Sequence, residues 1–106
     1  MRFFDLFKGR DINAGVAEYE NTPGAVLVDV RTPGEYREGH IPGSCSVPLQ
    51  ALDKIRTVTE NKDTPLYVYC YSGARSRQAA GLLEQMGYRQ VKDIGGISAW
   101  RGKVVR

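Results

Sequence analysis

Two short apolar runs dominate the pattern of hydrophobic and polar positions along the chain. Residues 25–30 are rich in β-branched side chains and almost continuously apolar, and residues 66–70 repeat this pattern and end at a cysteine. Proline and glycine bound the first run, and a Thr-Pro pair opens the second. Continuous apolar runs of this length predict strands that are buried on both faces, as in parallel sheets.

Helical patterns separate these runs. Between residues 76 and 86 the apolar side chains recur at three-and-four spacing, with charged and amide side chains largely between them. This spacing predicts an amphipathic helix, which Gly87 ends at the position after the last turn. Upstream, a short helix is predicted over residues 12–19, with Asp11 or Asn13 as its N-cap.

Strand and helix alternate along the whole chain. Helical structure is predicted over residues 49–56, a further short strand over residues 90–94, a turn at Gly95 and Gly96, and a last helical turn around Trp100. Such alternation gives right-handed crossovers between parallel strands. The predicted fold class is α/β, with a central, mostly parallel sheet flanked by helices on both faces.

The composition indicates one folded domain over residues 1–106. Hydrophobic residues make up 42% and charged residues 25%, which is typical of a globular chain with its own core. The net charge is only +3, and the 15 basic residues are spread out rather than clustered, so nucleic-acid binding is not expected. Phe3, Phe4 and Phe7 have two interpretations, packing on the domain or contacting a partner.

No membrane or export signal is recognised in the sequence. No apolar stretch approaches the roughly 18 residues of a membrane span, and charged residues interrupt the first apolar segment, unlike the core of a secretory signal. We therefore expect a cytoplasmic protein without membrane contact. A monomer is expected as well. In that reducing compartment the two cysteines are expected as free thiols.

The second of these cysteines, Cys70, lies where chemistry is expected. Ligands of open parallel sheets gather at the carboxyl ends of the strands, and residues 70–76 lead from such an end into a helix. Their backbone N–H groups can curl around the cysteine as an anion nest at a helix N-terminus. Gly73 can adopt the positive φ that a tight loop needs, and Arg75 offers a forked positive charge suited to thiosulfate or sulfite.

These features favour a reactive thiolate over a structural cysteine. A helix N-terminus and a nearby arginine lower the pKa of a thiol from about 8.5 towards neutrality. A buried structural cysteine is the plain alternative, but a core strand has no need of a glycine and an arginine directly after it. The predicted nucleophile is Cys70, and the predicted substrate-binding residues are Tyr71, Ser72, Gly73, Ala74, Arg75 and Ser76.

Four sequence motifs follow one another along the chain: Asp29-Val30-Arg31, Glu35-Tyr36-Arg37-Glu38-Gly39-His40-Ile41-Pro42-Gly43-Ser44 followed by Val47-Pro48, the six-residue loop from Cys70 to Arg75, and Gly95-Gly96-Ile97-Ser98-Ala99-Trp100. With these motifs the chain resembles the rhodanese family of sulfurtransferases over about residues 12–102. The resemblance implies double displacement: a small anionic donor such as thiosulfate gives its outer sulfur to Cys70, and the persulfide passes it to cyanide, a thiol or a protein. It implies no metal and no organic cofactor.

The resemblance also implies structural roles for Asp29, Arg31 and His40, which join loops by ion pairs and hydrogen bonds. Cys45, in the loop after His40, has two interpretations: an incidental thiol, or a second thiol that resolves the persulfide as a disulfide. No metal site is predicted, because Cys45, Cys70 and His40 lack both paired spacing and a fourth ligand.

Two other functions compete with sulfur transfer. Cysteine-dependent phosphatases also use a thiolate in a backbone nest with an arginine, but they place five residues between the two, whereas four separate Cys70 from Arg75 here. A smaller loop suits a sulfur atom better than a phosphoryl group. Rhodanese-like domains also serve as non-catalytic binding modules, which commonly lack the cysteine that this chain keeps.

Overall fold

Four parallel strands form one sheet in the computed structural model, which describes residues 11–106. The strands are β1 (Val26–Asp29), β2 (Ser44–Ser46), β3 (Leu66–Cys70) and β4 (Val91–Gly96). Their order is β2-β1-β3-β4, and every neighbouring pair is parallel. The predicted α/β class and mostly parallel sheet are confirmed.

Helices cover both faces of the sheet. They are α1 (Ile12–Glu20), α2 (Pro33–Glu38), α3 (Ile55–Val58) and α4 (Ala74–Gln85), with 3₁₀ turns at Leu49–Lys54 and Ile97–Ala99. On one face, α4, α3 and the first 3₁₀ turn bury side chains such as Leu83, Ile55 and Leu52. On the other face, α1 buries Ile12 and Val16. The two helical layers explain why β3 has no polar face.

The central strand β3 connects the two cores. Leu66, Val68 and Cys70 point to the α4 face, while Tyr67 and Tyr69 point to the α1 face, and all five are buried. The side-chain period of two along a strand requires this division. Each fully buried large apolar side chain contributes roughly 1.5–3 kcal/mol to stability, so β3 is a rigid platform for the cysteine at its end.

The helix α2 was not predicted, because residues 32–34 indicated only a turn. Thr32 caps the helix: its Oγ1 accepts from the backbone N–H of Glu35 at 3.2 Å, and the Glu35 carboxylate accepts from the Thr32 N–H at 3.0 Å. Pro33 occupies the first turn, where its missing N–H costs nothing. The Thr-x-x-Glu capping box was therefore a sequence signal for a helix start.

Two further differences concern strands. The edge strand β2 has only three residues and no alternating pattern, so it was not predicted, and Cys45 lies within it rather than in a loop. The prediction of a turn at Gly95 and Gly96 was wrong. Both belong to β4, opposite Tyr69 and Cys70. A register shift after the Val68–Asp93 pair lets these glycines pass beside the end of β3.

Three further sequence expectations concern the N-terminal phenylalanines, membrane-spanning helices and metal-binding groups. The alternative roles of Phe3, Phe4 and Phe7 fall outside the described residues. Within residues 11–106, no helix is long and apolar enough to cross a membrane. The same part of the chain contains no group of three or more His, Cys, Asp or Glu residues that could hold a metal ion.

Candidate active site

The sulfur of Cys70 lies inside a loop that joins β3 to α4. The backbone N–H of Gly73 donates to Cys70 Sγ at 3.0 Å, and Sγ lies 3.5 Å from the Ser76 hydroxyl. Gly73 has a φ of 106°, in the left-handed region that favours glycine, and this turn directs its N–H back to the sulfur. The loop thus closes over the cysteine as the sequence predicted.

The loop favours the ionised form of the Cys70 thiol. Burial raises its pKa, but the hydrogen bonds that the ionised sulfur accepts from the surrounding loop, among them those from the backbone N–H groups of Ser76, Gly73 and Arg75, outweigh burial. The net pKa is therefore lower than that of an ordinary cysteine. A thiolate held by several N–H groups at a helix N-terminus is a ready nucleophile.

The residues at the outer rim of the loop are exposed to solvent, while the cysteine beneath them is buried. Tyr71, Ser72 and Ala74 are exposed, and Tyr71 keeps 53% of its surface in solvent. Cys70 itself is fully buried.

The Arg75 side chain is paired with Glu35 of α2. Its two terminal nitrogens contact the two carboxylate oxygens of Glu35 at 2.7 Å and 3.0 Å, in the bidentate geometry that suits a guanidinium. We expected Arg75 to face an anionic donor, but here its charge is shared with a carboxylate. The capping box that starts α2 also fixes Glu35, so the missed helix positions this arginine.

The Glu35–Arg75 pair predicts an acid-sensitive contribution to stability. Arg75 holds the pKa of Glu35 at about 2, below its ordinary 4.5. Because the pKa of Glu35 is lower in the folded than in the unfolded protein, the ionised carboxylate stabilises the folded state fully at any pH above the pKa of the unfolded chain. This contribution is lost as pH falls from 4.5 towards 2. Since the two side chains are 33% and 30% exposed, the contribution is only about 1 kcal/mol.

Urea unfolding of the wild type and the Glu35→Gln variant, at neutral pH and at about pH 3, measures this contribution. The wild type is expected to lose more unfolding free energy on acidification than the variant does. Equal losses in the two proteins would show that the pair does not couple to folding.

Gly96 of β4 leaves the space that the loop fills. A Cβ atom at this position would collide with the carbonyl of Tyr71 and with Ser72 Cα. The Tyr71 carbonyl instead accepts from the N–H of Ser98 at 3.1 Å. Gly96 thus makes room for the loop and supports the site, whereas the sequence predicted a turn at this glycine pair and no part in the site.

The structural roles that the resemblance implied are present. The Arg31 guanidinium binds the buried Asp29 carboxylate with contacts of 2.7–3.1 Å and donates to the Gly39 carbonyl at 2.7 Å. His40 stacks on Tyr36, with ring centroids 3.7 Å apart, and its Nδ1 lies 2.8 Å from the Tyr36 carbonyl. These contacts fix the segment that follows β1.

Cys45 is too far from Cys70 to form a disulfide. Cys45 lies opposite Val28, Val28 lies opposite Val68, and Cys70 is two residues further along β3. With strands about 4.8 Å apart and a rise of about 3.3 Å per residue, their Cα atoms are roughly 12 Å apart, and a disulfide needs less than about 7 Å. Burial also raises the pKa of the Cys45 thiol. An incidental thiol is the better interpretation.

A cavity of about 320 Å³ opens at the opposite end of the sheet. It is lined by the amino ends of β3 and β4, including Leu66 and Val91. The charged residues that line it are Glu18, Lys92 and Arg89. Lys92 is ion-paired with Glu18, and Arg89 with Asp63. The cavity is remote from Cys70, so its size has no bearing on the sulfur site.

The chain belongs to the rhodanese-like domain family, whose sequence model matches residues 14–103. A sulfurtransferase of Allochromatium vinosum is 43% identical over 81 residues, 76% of this chain and 75% of the relative. Thiosulfate sulfurtransferase PspE of Escherichia coli is 37% identical over 71 residues, covering 66% of this chain and 68% of PspE. Thiosulfate sulfurtransferase GlpE of Pseudomonas syringae is 41% identical over 74% of each chain.

Solved structures agree with the sequence relatives. A structure of an E. coli rhodanese with anions superposes with a TM-score of 0.72 at 32% identity, over 77% of this chain and 98% of the other. A Bacillus halodurans crystal structure gives 0.77 at 30% identity, over 97% and 80%. Fold and relatives together show that the chain is a sulfurtransferase of the rhodanese type.

Proposed function

We propose that Cys70 is the nucleophile of this sulfurtransferase and carries a sulfane sulfur as a persulfide. The observation that carries the proposal is the position of Sγ, at the carboxyl end of β3 and 3.0 Å from the Gly73 N–H inside a closed loop. Thiolates are the reactive form of cysteine, and this loop favours the thiolate. Cys45 is a poor candidate, because burial raises its pKa.

The first half of the reaction loads the sulfur. The Cys70 thiolate attacks the outer sulfur of thiosulfate, a new S–S bond forms at Sγ, and the S–S bond of thiosulfate breaks with its electron pair on sulfite. A thiolate and a dianion become a persulfide anion and a dianion, so the total charge is unchanged. No proton or external electron is needed once the thiol is ionised.

The second half returns the enzyme to its starting form. An acceptor nucleophile, such as cyanide or a thiolate, attacks the terminal sulfur of the persulfide. The Cys70–S bond breaks, its electron pair stays on Sγ, and thiocyanate or a new persulfide leaves. The loop N–H groups that bind Sγ stabilise the leaving thiolate in this step.

We assign the loop residues to donor and persulfide binding. Gly73, Arg75 and Ser76 supply the N–H groups that lower the pKa of Cys70, and the exposed Tyr71, Ser72 and Ala74 form the rim that a donor crosses.

A thiosulfate donor is supported by two relatives, PspE and GlpE, that are named thiosulfate sulfurtransferases. A small anion is also supported by the E. coli rhodanese structure, which contains anions. Four further expectations stay predictions: a protein or small thiol as acceptor, a single domain over residues 1–106, a monomer and a cytoplasmic location.

The alternatives explain fewer of the observations. A non-catalytic binding module has no use for a thiol with a lowered pKa under a loop of N–H groups. A phosphatase needs a cradle for a phosphoryl group and an arginine to bind it, but only four residues separate Cys70 from Arg75, and the Arg75 guanidinium is bound to Glu35. The rhodanese-type reaction uses the lowered pKa of the thiol and fits the smaller loop.

Initial-rate kinetics test the carrier mechanism. With thiosulfate and cyanide varied together, a persulfide carrier requires ping-pong kinetics, with parallel double-reciprocal lines. We expect parallel lines and thiocyanate as product, and the same pattern in the Cys45→Ser variant. Intersecting lines would indicate direct transfer between two bound substrates, and absent thiocyanate would contradict a thiosulfate donor.

A further inference from the structure

The Ser76 hydroxyl stands between Cys70 and a carboxylate that the predicted site did not include. Ser76 Oγ lies 2.7 Å from Asp93 Oδ1 and 3.5 Å from Cys70 Sγ. The carbonyl oxygens of Gly73 and Gly95 are also near, at 3.1 Å and 3.3 Å. Ser76 is fully buried, so these groups decide where its proton points.

A hydroxyl has a single proton to give to these neighbours. The contact with Asp93 is the shortest, and hydrogen bonds to an ionised acceptor are stronger than neutral ones. The Ser76 proton therefore points to Asp93, and a lone pair of Oγ faces the sulfur. In that arrangement the Cys70 thiol donates its S–H to Ser76, which matches the neutral thiol and not the thiolate.

The fold holds Asp93 in this position. Asp93 lies opposite Val68 in the ladder, so its side chain is on the same face of the sheet as Cys70 and α4. The register shift of β4 follows directly, and there the N–H of Gly95 donates to Asp93 Oδ1 at 3.1 Å. Bulges of this kind redirect side chains next to active sites.

We propose that Asp93 is a positioning residue of the sulfur-transfer reaction, which opposes the Cys70 thiolate and favours the persulfide by holding the proton of the Ser76 hydroxyl. The inference rests on the proposed function in that it takes Cys70 as the sulfur carrier.

The two states of Cys70 make different demands on Ser76. A thiolate is stabilised by accepting a hydrogen bond from the Ser76 hydroxyl. If Ser76 donates to the sulfur, it no longer donates to Asp93, and the short Ser76–Asp93 hydrogen bond is lost. In the persulfide, Sγ is bonded to a second sulfur and the negative charge moves to the terminal atom. Sγ then no longer carries the charge that a hydrogen bond from Ser76 would stabilise, and the Ser76 hydroxyl continues to donate to Asp93. The same carboxylate thus disfavours the empty enzyme and leaves the loaded form undisturbed.

Two arginines near the loop form ion pairs among the described residues. Arg75 of α4 is bound to Glu35 of α2, and Arg31 is bound to Asp29 at the end of β1. Arg75 also interacts electrostatically with Cys70. Asp93 of β4 reaches the sulfur through the Ser76 hydroxyl, which it contacts at 2.7 Å.

The pH dependence of Cys70 alkylation by iodoacetamide tests the proposal. All variants carry Cys45→Ser, so that a single thiol reacts. Asp93→Asn is expected to shift the midpoint of the rate profile down by about one pH unit, because Ser76 can then donate to the thiolate. Asp63→Asn, which removes a carboxylate remote from Cys70, is the matched control and is expected to leave the midpoint unchanged.

A second readout uses the loaded state. At a fixed ratio of thiosulfate to sulfite, the equilibrium ratio of persulfide to thiolate is expected to fall by about tenfold in Asp93→Asn, since one pKa unit is a factor of ten. A midpoint that stays the same or rises in Asp93→Asn would overturn the proposal, as would an unchanged loading ratio.

Ser76→Ala shows whether the effect passes through the hydroxyl. On this background Asp93→Asn is expected to lose more than half of its shift; the full shift would overturn the positioning role. If Asp93→Asn does not fold, Ser76→Ala alone decides. In Ser76→Ala, an upward shift of the alkylation midpoint by less than about half a pH unit supports the proposal. A larger upward shift would overturn it, because Ser76 would then already donate to the thiolate in the wild type.

Failure of this inference is distinguishable from failure of the proposed function. Alkylation needs no sulfur transfer, so its midpoint reports on Asp93 even if thiosulfate does not load Cys70. Conversely, a persulfide on Cys70 with an unmoved midpoint in Asp93→Asn would leave the carrier intact and remove Asp93 from its control.

Discussion

Replacing Cys70 with serine is expected to lower thiosulfate:cyanide sulfurtransferase activity by about 1,000-fold or more, because losing a covalent nucleophile removes the whole pathway. The serine hydroxyl is not ionised near neutral pH and forms no persulfide. The fold is expected to remain, since serine is slightly smaller than cysteine and Gly73 N–H and Ser76 remain close enough to bind its oxygen.

Cys45→Ser is the matched control. Cys45 is half-buried in β2 and lies two strands away from the loop, so most of the activity is expected to remain. Steady-state assays of both variants, with circular dichroism to confirm folding, make the comparison. Wild-type turnover in Cys70→Ser would remove Cys70 as the carrier, and near-complete loss in Cys45→Ser would restore a resolving role for that thiol.

Gly96→Ala is expected to have the second-largest effect. The backbone of Gly96, with φ −128° and ψ 143°, suits any residue, so space rather than conformation requires the glycine. An added methyl group would collide with the Tyr71 carbonyl and Ser72 Cα. Since backbone cannot move aside as a flexible side chain can, we expect a loss of about 2–3 kcal/mol of stability.

The same displacement is expected to move the N–H groups away from Cys70 Sγ and to lower activity at least about 100-fold, as loss of a preorganised donor does. Gly81→Ala in α4 is the control. Apart from the neighbouring backbone of its own helix, no atom of residues 11–106 lies within 4 Å of its added Cβ, and alanine in a helix is favoured over glycine by about 0.5–1 kcal/mol. Thermal unfolding and activity assays of both variants suffice. Wild-type stability and activity in Gly96→Ala would contradict the steric account.

The large elements could be predicted because their signals are local. The apolar run that ends at Cys70 and the three-and-four spacing that ends before Gly87 each determine one element by pattern alone. The strand β2 could not be predicted in this way, because three residues, Ser44–Ser46, carry no measurable period. It forms because β1 offers an unpaired edge that the incoming chain can join.

The candidate site was predictable only in its sequence-local part. The loop and its N–H groups follow from consecutive residues after Cys70. The partners of that loop come from distant segments: Glu35 binds Arg75 across 40 positions, and Asp93 binds Ser76 across 17. Neither spacing has a pattern, because these contacts are set by where the fold places α2 and β4 relative to α4. The capping box of Thr32 signalled the helix that presents Glu35, but not its partner.

Intact mass of the unreduced protein, measured with and without thiosulfate beside the Cys70→Ser variant, tests the central claim most directly. The account predicts that the wild type gains one sulfur atom with thiosulfate, that cyanide removes it, and that the variant gains none. No added sulfur in the wild type, or the same gain in the variant, would contradict a persulfide carried by Cys70.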